Sequence, residues 1–219
     1  IDPKGNVVGY LAESMEPADG AKKWVFKIRK GVTFHNGKTV TSDDVVGTVN
    51  YHTAADSKSP GKAYLAGVTS VKADGPETVV FELSGADADF PYNLSNYQFP
   101  ILPITDGKPD LSGNGAGPYV LDGFEPGVKV HFKRNPSAFM PGNFDEITQL
   151  SIIDPAARTN AFLAGEVDFI DKADLKTIDL LKSAPDTELY NVSGYQYYNA
   201  PMLTDSAPFD KLEVRQALK

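Results

Sequence analysis

The sequence predicts an α/β fold, and three observations carry that prediction. Apolar residues fill 41% of 219 positions, enough for a continuous core. Short alternating segments between glycine, proline and aspartate turns read as strands, while other segments open on helix-capping residues. Ile147 to Ile170 reads as strand, helix and strand in succession, the unit from which α/β sheets are built.

Taken in order, Trp24 to Arg29 alternates as a strand with one buried face, and Val32 to His35 offers a second. Gly31 separates them and Asn36-Gly37 is a turn signal. Thr41-Ser42-Asp43-Asp44 places a capping hydroxyl three positions ahead of a carboxylate, so a helix starts there and runs to about Ala55. Val45, Val46, Val49 and His52 share one side of it at helical spacing. Val68 to Ala73 and Thr78 to Leu83 read as a hairpin across Asp74-Gly75-Pro76. From Phe90 to Pro103 the chain is aromatic and broken by prolines, which suits an irregular crossing.

Beyond Gly113-Asn114-Gly115-Ala116-Gly117-Pro118, strands are expected at Tyr119 to Phe124, Val128 to Lys133 and Ile147 to Ile153. Asp154-Pro155 opens a helix with a cap and a proline whose missing amide proton costs nothing at that position, and Gly165 ends it. Val167 to Ile170 returns as a strand. A helix over Leu175 to Ser183 and strands at Glu188 to Val192 and Tyr195 to Asn199 follow. Asp210 is placed to cap a last helix over Lys211 to Lys219. Two turns do not persist without packing or continuation, so the natural protein is expected to continue, the alternative being a terminal helix docked on its domain. The start at Ile1-Asp2-Pro3, without an initiator Met or an apolar signal segment, is expected to reflect processing or trimming.

Composition narrows function. A formal charge of −8 opposes phosphate neutralisation, so nucleic acid is an unlikely partner. No apolar run approaches the roughly 18–20 residues of a membrane span. Without cysteine there is no disulfide, thiolate metal site or cysteine nucleophile. His35, His52 and His131 are scattered without metal-ligand spacing, so no metal or cofactor is expected. Asp43-Asp44 and Asp168-Asp171 invite an acid/base reading, but capping already accounts for Asp44, and no Gly-x-Ser-x-Gly elbow is present, so no catalytic residue is named. Gly113-x-Gly115-x-Gly117 lacks a following helix, and Pro118 removes a donor, so the glycines are read as permitting a tight approach to the Tyr119 strand.

The aromatic clusters are the remaining signal. Tyr97-Gln98-Phe99 in the crossing, and Tyr195, Tyr197 and Asn199 near the end, combine flat apolar area with polar tips, which suits enclosing a polar organic solute. The competing reading is that alternate tyrosines of a strand simply pack in the core.

Three stretches together, Leu11-Ala12-Glu13-Ser14-Met15-Glu16-Pro17, Trp24 through Gly37, and Thr41-Ser42-Asp43-Asp44-Val45, resemble the signature of the family 5 bacterial extracellular solute-binding proteins of ABC importers. Gly113 to Tyr119, Arg134-Asn135-Pro136, Phe144-Asp145-Glu146, Ala164 to Asp168 and Pro208 to Leu218 extend the match, while Phe139-Met140 and the extra Ala116 depart from it. The resemblance implies a mixed-sheet lobe of a type II periplasmic-binding-protein fold. It places an α+β accessory subdomain at 1–103 and the core subdomain of that lobe at 104–219, with the second lobe absent after 219. It implies a monomeric, periplasmic or lipid-anchored receptor that binds peptides or similar small polar solutes and delivers them to an ABC permease, and that is no enzyme. It also gives His35 a structural role in a strand-turn motif, and puts the acidic residue that holds a peptide amino terminus in the missing lobe. The alternatives carried beside it are a stand-alone secreted interaction or sensor domain and a small secreted hydrolase.

Overall fold

Side-chain alternation decides the first sheet. In β2 (Lys23–Ile28) Trp24, Phe26 and Ile28 turn inward, and in β4 (Thr78–Leu83) Val79, Phe81 and Leu83 do the same, each at most 9% exposed. The two strands pair antiparallel with Trp24 opposite Phe81 and Phe26 opposite Val79, so the large side chains meet on one face. In this computed structural model, which describes residues 1–2, 4–191 and 201–218, β1 (Ala12–Ala18) and β3 (Val68–Ala73) complete a four-stranded sheet of order β1-β2-β4-β3. The expected β3–β4 hairpin forms, its turn carried by Gly75 at φ 79°.

Helix α1 (Ser42–Thr53) starts where the capping residues place it, and its Val49 and His52 are buried against the same core. Gly47 sits mid-helix because Ile104 occupies the space of its side chain: a Cβ there would lie 2.5 Å from Ile104 Cγ1. Between β2 and α1 the structure departs from expectation. Val32 to His35 forms no strand, only a bridge between Thr33 and Thr39, because the Asn36-Gly37 turn closes immediately and Phe34 N–H donates to Lys38 O. Phe34 and Val32 are nonetheless core residues. The crossing also contains one unexpected turn of helix, α2 (Phe90–Leu94), opened by Pro91. A two-residue hairpin follows, β5 (Ile104–Thr105) with β6 (Lys108–Pro109), turning through Asp106 and Gly107 at positive φ.

The second sheet is β7 (Tyr119–Glu125), β8 (Lys129–Arg134) and β9 (Glu146–Leu150), again antiparallel. Register puts Phe124, Val130, Phe132 and Ile147 on one side and Asp122, His131, Lys133 and Glu146 on the other. The polar side is tied by ion pairs, His131 to Asp122 at 3.0 Å and Lys133 to Asp122 at 3.1 Å. Lys133 and then His131 hold the Asp122 carboxyl below the usual carboxylate range.

Helix α3 (Pro155–Leu163) keeps both of its expected ends. Asp154 Oδ1 accepts from Ala157 N–H at 2.8 Å, and Gly165 at φ 72° lets Gly165 N–H and Glu166 N–H bond back to Phe162 O and Ala161 O. The strand expected at Val167 to Ile170 does not form; Phe169 is 75% exposed and no described strand lies alongside to pair with it. The strand-helix-strand unit is therefore absent among the described residues, where every ladder is antiparallel.

These elements belong to one compact unit, Ile1–Leu175; Lys176–Lys219 forms a second. In the second unit α4 (Ile178–Ser183) follows the 3-10 turn Leu175–Thr177, and α5 (Leu212–Ala217) is capped by Lys211 and not by Asp210. Arg215 instead donates to the Phe209 and Asp210 carbonyls. No strand forms over 188–191, and Val192 and the Tyr195 to Asn199 segment lie outside the described residues. No described helix is long and apolar enough to cross a membrane.

Candidate functional site

The first unit encloses an apolar groove of about 610 Å³. Phe26, Ile28, Val79 and Phe81 of the first sheet and Val45 and Val49 of α1 supply its wall, with Val7 to Leu11, Pro100, Ile101 and the glycine segment at its rim. Polar groups are few, notably the Thr48 hydroxyl and the His35 ring. Thr48 is already engaged, its Oγ1 accepting from Leu102 N–H at 3.0 Å. At one edge Tyr10 meets Phe139 edge to face at 4.9 Å, and Arg29 stacks over Phe139 at 5.5 Å while donating to Tyr10 O. Such a surface can hold apolar groups by contact.

Of the residues singled out in the crossing, the structure separates three neighbours. Tyr97 is 89% exposed. Phe99 is buried in the core, edge to face with His52 at 5.0 Å, and lines the groove. Gln98 lies between them, its Oε1 buried without a partner among the described residues. Tyr195, Tyr197 and Asn199 lie outside the described residues. The sequence did not point to the groove, because its wall and rim come from segments far apart in the chain.

Two polar clasps hold the crossing and the glycine segment. Asp44, fully buried, accepts Lys38 Nζ at 2.5 Å and Ile104 N–H at 2.8 Å on one oxygen, and the Thr41 amide and hydroxyl at 3.0 and 3.1 Å on the other. Burial alone would raise its pKa, but the Lys38 ammonium, the Ile104 amide and Thr41 outweigh it and hold the carboxyl below its ordinary value. Lys38 Nζ also donates to Ile104 O at 2.7 Å.

The second clasp is His35. Its backbone N–H donates to Gly115 O at 2.8 Å, its Nδ1 accepts from Gly115 N–H at 3.2 Å, and its Nε2 lies 3.1 Å from Gly117 O. Asn135 Nδ2 donates to the same Gly117 carbonyl.

One serine and histidine do meet: Ser59 Oγ lies 2.6 Å from His52 Nδ1. His52 is 7% exposed, burial pushes its pKa down, and its Nε2 has no partner among the described residues. Ser59 meanwhile accepts Gly61 N–H as the cap of the following turn. With no acid orienting the imidazole and the ring enclosed, the pair reads as a cap and not as a nucleophile and base. Among the described residues no group of three or more acidic or histidine side chains could hold a metal ion.

Comparison with known proteins adds the following. The family model "Bacterial extracellular solute-binding proteins, family 5 Middle" matches residues 6–219. The oligopeptide-binding protein AppA of Bacillus subtilis (strain 168) is 32% identical over 193 residues, covering 81% of this chain and 35% of that protein. Di/tripeptide-binding protein 1 of Pseudomonas aeruginosa (strain UCBPP-PA14) is 28% identical over 247 residues, covering 97% of this chain and 45% of that protein. Among solved structures, the periplasmic binding protein AgaA of A. tumefaciens R10 with agropinic acid superposes at TM-score 0.78 and 26% identity, over 84% of this chain and 39% of that one. AppA of Bacillus subtilis in complex with a nonapeptide superposes at TM-score 0.75 and 27% identity, with the same coverage. The chain thus spans less than half the length of these relatives.

Proposed function

The chain belongs to family 5 of the bacterial extracellular solute-binding proteins, and from that premise we propose that it forms part of the solute-binding component of an ABC importer. The carrying observation is a family match across residues 6–219 in a chain that spans only 35–45% of its relatives' length. A receptor of this kind works without bond-breaking: a solute that binds one arrangement of the protein better than another shifts the population toward it. Peptides, or small polar solutes of similar size, are the proposed cargo, because the relatives above are named for oligopeptides and di- or tripeptides. Residues 1–103 are proposed as the accessory subdomain and 104–219 as part of the core subdomain. The working place is outside the cytoplasmic membrane, the protein is monomeric, and its partner is a membrane permease.

By itself, the chain is expected to bind a di- to octapeptide mixture more weakly than about 1 µM in isothermal titration, and to leave the peptides uncut by mass spectrometry. Joined to the remaining sequence of the Bacillus subtilis relative, a chimera shown by circular dichroism to be folded should bind peptide saturably. Sub-micromolar binding by the chain alone, peptide cleavage, or a folded chimera that binds no peptide would each overturn the proposal.

Tyr97 is the proposed solute contact among the crossing residues, since an exposed tyrosine offers stacking area with no core role. Tyr97→Ala in the chimera should weaken peptide binding by about tenfold, roughly 1.4 kcal/mol, with no change in melting temperature. Unchanged affinity removes Tyr97 from the site.

A further inference from the structure

We propose that His35 is an acid-sensitive latch: neutral, it holds the glycine segment 113–117 against the turn after β2, and protonated it lets that segment go. The ring's two contacts fix its state. Nδ1 faces an amide N–H, from Gly115, and must be bare, whereas Nε2 faces a carbonyl, that of Gly117, and must carry the proton. A second proton on the ring would fall on Nδ1 and set N–H against N–H at the Gly115 contact, 3.2 Å across.

No anion bonded to the ring is placed to reward that proton, since both ring partners are neutral backbone groups. The charged groups on the neighbouring segments are otherwise occupied. Lys38, on the same turn, is held by Asp44 and Ile104 O. Asp110, ahead of the glycines, accepts from Ser112 N–H and Asn114 Nδ2. Beyond β8 the packed residue is the neutral Asn135, and Tyr10 and Tyr119 line the same groove as His35. The closed arrangement therefore disfavours the added proton, while an opened segment leaves the ring free to take it. By linkage, acid shifts the population toward the opened form: the latch is intact above the titration of the ring and is lost as pH falls through it.

The consequence is local and positional. The clasp spans 80 and 82 residues of sequence, joining the turn after β2 to the segment that leads into β7. It also forms part of the groove wall, through His35, Gly115 and Gly117. Releasing it loosens one side of the groove without disturbing the Asp44 clasp on the other. The inference stands on this geometry and not on the transport reading.

The test follows the His35 ring carbons and the Gly115 amide by NMR in the 219-residue chain, from about pH 8 to about pH 5.5, where imidazoles change charge. After correction for intrinsic exchange, Gly115 protection should fall by about tenfold, with the same midpoint as the His35 ring. His35→Asn keeps an acceptor for Gly115 N–H but does not titrate, so protection there should become independent of pH, while His52→Gln should leave the wild-type dependence in place. Protection that ignores the ring titration overturns the latch. So does a wild-type pH dependence that survives in His35→Asn or vanishes in His52→Gln. Should His35→Asn not fold, the match of midpoints in the wild-type chain decides alone.

Discussion

Asp44→Ala is expected to lower the stability of the first unit by about 3–5 kcal/mol, because it breaks a buried charge cluster from its centre. The carboxylate is fully buried and answers four donors, from Lys38, Ile104 and Thr41. Lys38, whose side chain keeps 39% exposure, can turn toward water, so the burden falls on the amides of Ile104 and Thr41. Asp44→Asn keeps the shape but offers one acceptor oxygen in place of two and no charge, and should lose about 2–3 kcal/mol. Urea unfolding followed by fluorescence reads this directly: Trp24, the only tryptophan, is buried in the first sheet's core. A loss under about 1 kcal/mol for Asp44→Ala would show that the cluster is solvent-relaxed and contributes little.

The same residue gives a pH signature of known sign. Its folded pKa lies below the ordinary 3.8, so the unfolded chain binds the proton more readily. The contribution of Asp44 is therefore complete above about pH 4 and is lost only as pH falls below that value toward the folded pKa. Asp44→Asn should flatten the acid limb of the stability curve there and leave its shape between about pH 5 and pH 8 unchanged. His52 acts higher on the scale. Burial depresses its pKa from 6.5, so its contribution is present above that value and declines as pH falls below it.

Local chemistry was legible in the sequence wherever a signal and its effect lie within a few residues. Thr41 with Asp44 announced α1, Asp154-Pro155 and Gly165 announced both ends of α3, and Asp74-Gly75-Pro76 announced the β3–β4 turn. The family was legible from motifs spread over nearly the entire chain, and the family match across 6–219 agrees. What failed was what depends on a neighbour. Val167 to Ile170 has the composition of a strand, but a strand exists only with a partner, and none is described beside it. Val32 to His35 has the same composition, yet its turn folds it back after one bridge. Phe99 read as a solute contact because aromatic residues in an irregular crossing serve cores and sites alike; only the packing against His52 and Gly61 assigns it to the interior. The His35 clasp was the least visible feature, since its partners lie 80 and 82 residues away and are backbone groups whose identity no side chain advertises.

Phe81→Ala is expected to cost about 3–5 kcal/mol, the other large effect, and for a reason unlike that of Asp44. Phe81 is 1% exposed on the inner strand β4, opposite Trp24 on β2 and Val71 on β3, and its ring meets Phe26 at 5.4 Å and Phe90 at 5.2 Å, both edge to face. Truncation removes the apolar contact and both ring pairs, the latter worth roughly 0.5–1.5 kcal/mol each beyond area. Because Phe81 also lines the groove, the space left behind joins an existing opening, so an apolar dye should bind the variant more tightly than the parent. Phe81→Leu, which restores most of the volume, should recover the larger part of the loss. Phe124→Ala is the control: at 66% exposure on the second sheet, it should stay within about 0.5 kcal/mol. Equal losses at Phe81 and Phe124 would mean that the first sheet's inner face is not the core that supports the groove, and the groove could not then be a fixed surface for any ligand.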